Sequence, residues 1–221
     1  MPQPESDKVW VMRRVPTPKG PVVIQAAATP EALRPLEAHP GLRAFRPAAR
    51  QKEALLEIAA SPDGCVTTAE AAGQLVGYAA FHRPSAFERW GEDPTGGIYE
   101  LGAVEVAPPW RGYGLARHLL EASFATGRFE DKVVVATLYY WHYDLEHTGL
   151  SAYQYRKRLE ALYGSVGFVP FTTDDPEIRG YLENTLMARI GPRTPKHVIE
   201  AFHALRFRSP PPEAAPWSFP S

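Results

Sequence analysis

A chain of 221 residues is long enough to bury a sizeable core and short enough to be one domain with at most an extension. Its 24 Lys+Arg against 25 Asp+Glu give a net charge of -1, which excludes a global basic field for nucleic acid and makes any basic site local. Cys65 is the only cysteine, so an internal disulfide and a cysteine zinc cluster are both excluded, and the thiol is expected to be a small core residue in a reducing compartment.

The first seven residues, Met-Pro-Gln-Pro-Glu-Ser-Asp, have neither a basic n-region nor an apolar h-region, so no secretory signal is expected. The longest apolar-aromatic run, residues 133–141, falls far short of the roughly 20 residues that span a bilayer. A cytoplasmic protein with no membrane partner is therefore expected. Residues 1–8 are read as a flexible N-terminus, 9–208 as the folded domain, and the proline-rich 209–221 as an extended tail.

In chain order, residues 9–15 and 22–27 read as two strands joined by a Pro-Thr-Pro-Lys-Gly-Pro turn. Thr29-Pro30-Glu31 opens a short helix, with Thr as N-cap and Pro at the first helical position, which Pro40-Gly41 is expected to stop. Pro47 starts a longer helix through Ala60, whose Leu55, Leu56, Ile58 and Ala59 form an apolar face before Ser-Pro-Asp-Gly ends it. Residues 65–71 and 74–82 read as strands paired around Ala72-Gly73. The connection 83–96 is long and charged, and reads either as a functional loop or as a surface insertion.

The central strand is expected over residues 98–106, followed by a Pro-Pro turn, an Arg-Gly-Tyr-Gly loop, and a helix from near Tyr113 to about Thr126. Residues 132–138 are an almost uninterrupted β-branched run, predicted as an interior strand beside the central one if the crossover is right-handed. The block 139–147, Tyr-Tyr-Trp-His-Tyr-Asp-Leu-Glu-His, is too aromatic for a casual loop. A helix over 151–163, a turn into a strand ending at Phe171, a short strand over 186–190 and a helix capped by Thr194-Pro195 complete the chain. The pattern is a single mixed α/β (α+β) domain with a central sheet flanked by helices.

A strand feeding a glycine loop that opens a helix makes a site for a phosphate. The first amides of a helix have no intrahelical partner and carry the positive end of its dipole. Gly112 and Gly114 admit positive φ and close backbone approach, Arg111 adds a charge at the mouth, and Tyr113, Leu115 and Ala116 complete the cradle. A Walker loop fails, because Gly112 is not followed by Gly-Lys-Ser/Thr at the required spacing. A dinucleotide fold fails too, with Arg117 in place of the third glycine and Glu130 and Asp131 before the next strand rather than at its end.

Coenzyme A remains. Pro109-Trp-Arg-Gly-Tyr-Gly114 resembles the Arg/Gln-x-x-Gly-x-Gly loop of the GCN5-related N-acetyltransferases, with Pro at the first position and Arg at the third. Tyr163-Gly-Ser-Val-Gly-Phe168 is similar to the Tyr-x-x-x-Gly-Phe ending of a later helix in that superfamily. The resemblance implies a fold in which the central strand and the next one splay apart, with the pantetheine arm of acetyl-CoA bonding the backbone of Val104 and Val106. Further stretches, among them Phe87-Glu-Arg-Trp90, Glu100-Leu-Gly-Ala-Val-Glu-Val106 and Tyr139-Tyr-Trp-His-Tyr-Asp-Leu145, resemble the acetoin-utilisation family of protein lysine acetyltransferases over roughly residues 8 to 208. That resemblance implies acetyl-CoA synthetase as the protein partner, inactivated by acetylation of its catalytic lysine.

Acetyl transfer to an amine needs the neutral amine, and a lysine near its reference pKa of about 10.4 needs a base. Glu100 is the candidate. Strict strand parity puts it on one face with Gly102, Val104 and Val106, with Glu105 pointing the other way as runner-up. A backbone N–H near Val106 is the candidate for polarising the thioester oxygen. Tyr163 is the candidate acid for the CoA thiolate, or else a core tyrosine beside Leu159 and Leu162; Tyr139, Tyr140 and Tyr143 are its substitutes. His142, Asp144, Glu146 and His147 read as part of an aromatic and acidic acceptor wall rather than a metal site, with Glu88 and Trp90 framing the same groove.

Overall fold

The computed structural model describes residues 12–208. The N-terminus expected to be flexible, the start of the first expected strand and the proline-rich tail lie outside the described residues. β1 (Met12–Val15) pairs antiparallel with β2 (Val22–Gln25), which pairs antiparallel with β4 (Cys65–Ala71). β4 turns into β5 (Gln74–His82) through Ala72-Gly73, both at positive φ as a tight two-residue hairpin turn requires.

The helix opened by Thr29, α1 (Pro30–Leu33), has the expected cap, with the Thr29 hydroxyl accepting from the Ala32 N–H at 3.3 Å. It stops well before Pro40-Gly41. The chain instead adds a two-residue strand, β3 (Glu37–Ala38), in parallel to Gln74 and Leu75. Those two residues lie beyond Gly77, where the pairing of β5 with β6 ends, so their edge is open to another strand. α2 (Ala48–Ala60) follows and buries Leu55 over β4 and β5.

β6 (Ile98–Val106) is the hinge of the architecture. It pairs antiparallel with β5, and in parallel with β7 (Val133–Leu138) over only three residues, Ile98 with Val133, Tyr99 with Val134 and Glu100 with Val135. Beyond Glu100 the two strands part, because β7 spends the rest of its length on β9 (Thr185–Ile190). β8 (Val169–Phe171) closes that edge, giving the order β1-β2-β4-β5-β6-β7-β9-β8, with β3 on β5 outside this path.

One face of the sheet carries α3 (Leu115–Ala125) and α5 (Ala152–Gly164) over a core that includes Phe81, Phe124, Phe129 and Phe168. On the other face α2 covers the β4–β5 half, while residues 83–97 and α7 (Lys196–Leu205) cover the β6–β7 half around Trp90, Ile98, Val133, Val198 and Phe202. α7 begins after Pro195 with no side-chain cap. The expected cap, Thr194, spends its hydroxyl on the Lys132 carbonyl at 2.9 Å, tying the helix entrance to β7. Two short helices that the sequence patterns do not announce, α4 (Leu145–Thr148) and α6 (Pro176–Arg179), are each started by an aspartate cap, Asp144 and Asp175. Among the described residues no helix is long and apolar enough to cross a membrane.

Candidate active site

The parting of β6 and β7 leaves a slot whose β6 wall is backbone that no neighbouring strand pairs. The Ala107 N–H donates to Val76 O on β5 at 2.9 Å, so strand alternation turns the backbone groups of Val106 and Val104 the other way, into the slot. At the far end of β6, Pro108–Trp110 make a single 3-10 turn pinned by buried Trp110, and the chain enters the glycine loop.

Gly112 and Gly114 have φ of +86° and +75°. A Cβ on Gly112 would meet nothing within 4 Å, so the space over this backbone is open. Gly114 is the N-cap of α3, with no side-chain cap and no acidic residue in the first turn. The leading amides, those of Leu115 and Ala116 among them, are thus left for an outside acceptor. The helix begins at Leu115, two residues past the start expected near Tyr113.

Arg111 does not stand free at the phosphate mouth as expected. Its Nε donates to the Val106 carbonyl at 2.9 Å and its guanidinium pairs with Asp144. Burial works against the Asp144 charge, but hydrogen bonds from Arg111 and His147 hold its carboxyl below the ordinary range. The ion pair bridges the segments that follow β6 and β7, and so fixes the mouth of the slot. It also removes Asp144 from any free acidic wall. A cleft of about 270 Å3 lies here, lined by Ala44, Glu105, Arg111, Trp141, His142 and Glu146 among others.

The register of β5 on β6 changes the expected facing of the glutamates. Ala80 pairs with Ala103 but Phe81 pairs with Leu101, leaving Gly102 as an extra, bulged residue. The alternation of β6 inverts there, while β5 keeps its own, with Gly77 and Phe81 both on the α3 face. Leu101 falls on the α3 face with Val104 and Val106, whereas Glu100 shares the opposite face with Ala103 and Glu105. The expectation that Glu100 lies on the face of Val104 and Val106, with Glu105 turned away, is therefore corrected by the bulge.

Glu105 is buried and accepts from the Ala44 N–H and the Tyr78 hydroxyl, each at 2.8 Å. Both of its oxygens are engaged, and it ties the α1–α2 connection to β6. Glu105→Ala leaves the buried Tyr78 hydroxyl without its acceptor and frees the exposed Ala44 N–H, with an expected cost of about 2 kcal/mol, read as a lower urea midpoint at unchanged m-value.

Glu100 is the opposite case. Its Oε2 is buried with no hydrogen-bond partner. Burial first, and then the facing carboxylate of Glu88, push its carboxyl up to about 8. Glu88 is held over it by a rigid segment. The neighbouring Arg89 is buried in an ion pair with Asp174 and donates to the carbonyl of Arg206 at 2.8 Å. Trp90 is buried and stacked on Phe202 at 5.6 Å. Trp90 therefore anchors the connection in the core and lines a separate cleft with Arg83, Asp93 and Gly96, not the one beside Trp141 and Glu146, while Glu88 does face Glu100. Tyr139, just past β7, lies on the same face, its hydroxyl raised by burial and by Asp175 and Glu177.

Tyr163 is buried on the other face, 5.6 Å from Phe168, and burial, with Tyr155 and Tyr143 adding, holds its hydroxyl protonated well above the tyrosine range. Glu100 and Tyr163 are thus not brought together on one surface; they approach the slot from opposite sides of the sheet. Among the substitutes, Tyr143 has its hydroxyl committed to the Glu183 carbonyl at 2.8 Å. The aromatic block itself is a stacked surface: Tyr139 on Trp141 at 4.5 Å, Tyr140 against Tyr181 at 5.2 Å, and Phe45 against His142 at 5.2 Å.

The profile of the Acetyltransferase (GNAT) family matches residues 32–139. The acetoin utilization protein AcuA of Bacillus licheniformis is 40% identical over 205 residues, which span 93% of this chain and 98% of that protein. The AcuA protein of Bacillus subtilis is 39% identical over 203 residues, 92% of this chain and 97% of the relative. The crystal structure of an acetoin utilization protein from Exiguobacterium sibiricum superposes with a TM-score of 0.88 at 42% identity, covering 91% of this chain and 96% of that one.

Proposed function

Because the chain belongs to the GNAT acetyltransferases and, within them, to the acetoin utilization proteins AcuA, and is thus an N-acetyltransferase with a GNAT fold, we propose that it moves the acetyl group of acetyl-CoA onto a lysine of acetyl-CoA synthetase. Transfer is direct, with no covalent enzyme intermediate, and takes place in the cytoplasm on a domain spanning residues 9–208. The observation that carries this reading is the slot between β6 and β7, with the uncapped N-terminus of α3 at one end and the carboxyl of Glu100, its Oε2 buried without a partner, at the other.

The residues fit acetyl-CoA in chemical terms. The open space over Gly112 and the leading amides of α3 suit a pyrophosphate, with the cradle running from Arg111 through Gly112, Tyr113, Gly114, Leu115 and Ala116. The backbone of Val104 and Val106 suits the amide-bearing pantetheine arm, and a slot-facing N–H there polarises the thioester oxygen. Glu100 takes a proton from the incoming ammonium, the amine attacks the carbonyl carbon, the C–S bond breaks as nitrogen gives up its second proton, and Tyr163 protonates the leaving thiolate. A base titrating at about 8 is matched to removing a proton from an amine at neutral pH.

Trp141, Tyr181 and Leu182, exposed by 46%, 46% and 83%, favour a protein acceptor over a small amine, because a small substrate leaves such a surface uncovered. Incubation of purified acetyl-CoA synthetase with this protein and acetyl-CoA, followed by mass spectrometry, is expected to give one acetylated lysine and loss of synthetase activity. Inhibition without added mass identifies an acetyl-CoA-sensing binder instead. Acetylated polyamines or amino acids beside an untouched synthetase identify a small-molecule acetyltransferase.

A further inference from the structure

His82, the last residue of β5, is the direct cross-strand partner of Glu100. Residues opposed in this way have Cβ atoms roughly 5 Å apart and project to the same face. The imidazole Nδ1 lies 2.8 Å from the Arg83 carbonyl, and a carbonyl only accepts, so Nδ1 carries the hydrogen and Nε2 of the neutral ring presents a lone pair. Nε2 projects over Gly102, the bulged residue: a Cβ there would collide with it, so the bulge position is glycine where the ring needs the room. No hydrogen bond to Nε2 is present among the described residues, and the ring is half-buried rather than sealed, giving it a route to water.

Proton balance leaves a role for such a group. In the acetyl transfer proposed above, on which this inference rests, the substrate nitrogen arrives with three hydrogens and leaves as an amide with one. Glu100 can hold only one proton at a time, and its Oε2 is sealed from solvent. We propose that His82 is a second catalytic base: its Nε2 takes the other proton from nitrogen as the N–C bond forms and the C–S bond breaks, and releases it to solvent. Two protons leave nitrogen, the thiolate takes one from Tyr163, which regains it from solvent, and one proton is released per turnover.

The charged group opposite the ring is Glu100 on β6, which Glu88 in turn faces, while the Arg83 guanidinium turns away over Tyr99 and beside Asp63. The test measures thiol release from acetyl-CoA with acetyl-CoA synthetase as acceptor. His82→Ala is expected to lower kcat at pH 7 by about 100-fold, to leave KM for acetyl-CoA within twofold, and to recover at least tenfold when free imidazole is added. Loss without imidazole recovery overturns the proposal, as does a kcat within twofold of wild type.

Should His82→Ala fail to fold, judged by its thermal melt, His82→Gln serves. It is expected to lower kcat by about 100-fold while leaving KM for acetyl-CoA within twofold; a kcat within twofold of wild type overturns the proposal. A wild-type protein that releases no thiol with acetyl-CoA synthetase, polyamines or amino acids defeats the acetyltransferase reading itself. Wild-type turnover with an equally active His82 variant defeats only the role of His82.

Discussion

Glu100→Gln lowers kcat by about 100-fold at pH 8 while leaving acetyl-CoA affinity within twofold, because it removes the base without touching the glycine loop. The pH dependence carries the more specific expectation. A base must be deprotonated to act, and the Glu100 carboxyl is held at about 8 by burial and by Glu88. Wild-type turnover therefore rises with pH and levels off above 8. Glu88→Gln removes the facing charge and moves that limb to lower pH. A wild-type limb centred near the ordinary carboxylate range of 4.5 removes Glu100 from the role of base.

Stability changes in the opposite direction. Between 4.5 and about 8 the folded state binds a proton at Glu100 that the unfolded chain has released, so the contribution of Glu100 to stability falls as pH rises through that window and is flat above it. Glu100→Gln abolishes this slope. A variant that is inactive yet more stable than wild type at pH 9 is the joint signature of a functional carboxyl kept in an unfavourable place.

Gly112→Val raises the Kd for CoA by more than tenfold, measured by calorimetry. Two effects combine at this residue. Its φ of +86° is strained for a β-branched side chain, and the open space over it is where the pyrophosphate is proposed to lie. Gly127 separates them: it has a φ of +71° and equally open surroundings but follows the far end of α3. Gly127→Val pays a similar backbone cost and leaves CoA affinity unchanged. Equal affinity in both variants places the ligand elsewhere.

Much of this arrangement is legible in one dimension because it is local. The glycine loop is read from residues adjacent in the chain, and its φ values and its helix follow from the absence of a Cβ. The bounds of β4, β5 and β6 agree with the hydrophobic runs and turn residues that delimit them. The resemblance carried by the loop and the aromatic block led to the family that the comparisons then showed.

What escaped the sequence depends on partners distant in the chain. Arg111 reads as a free cation until Asp144, 33 residues on, is folded against it. Trp90 reads as groove lining until Phe202 stacks on it, and Thr194 as a cap until the Lys132 carbonyl takes its hydroxyl. The glutamates show the distinction most clearly. That β6 bears Glu100 and Glu105 is a property of the sequence alone, as is a strand's period of two. Which face each one takes was decided by a single bulged residue, Gly102, and a bulge exists only in the pairing of one strand against another. The same pairing set His82 opposite Glu100, and the packing of residues 83–97 by Arg89 and Trp90 laid Glu88 over Glu100. The sequence by itself determined the chemistry present on the central strand; the tertiary structure decided which of those groups meet and at what pH they act, because register and desolvation arise only when distant segments pack together.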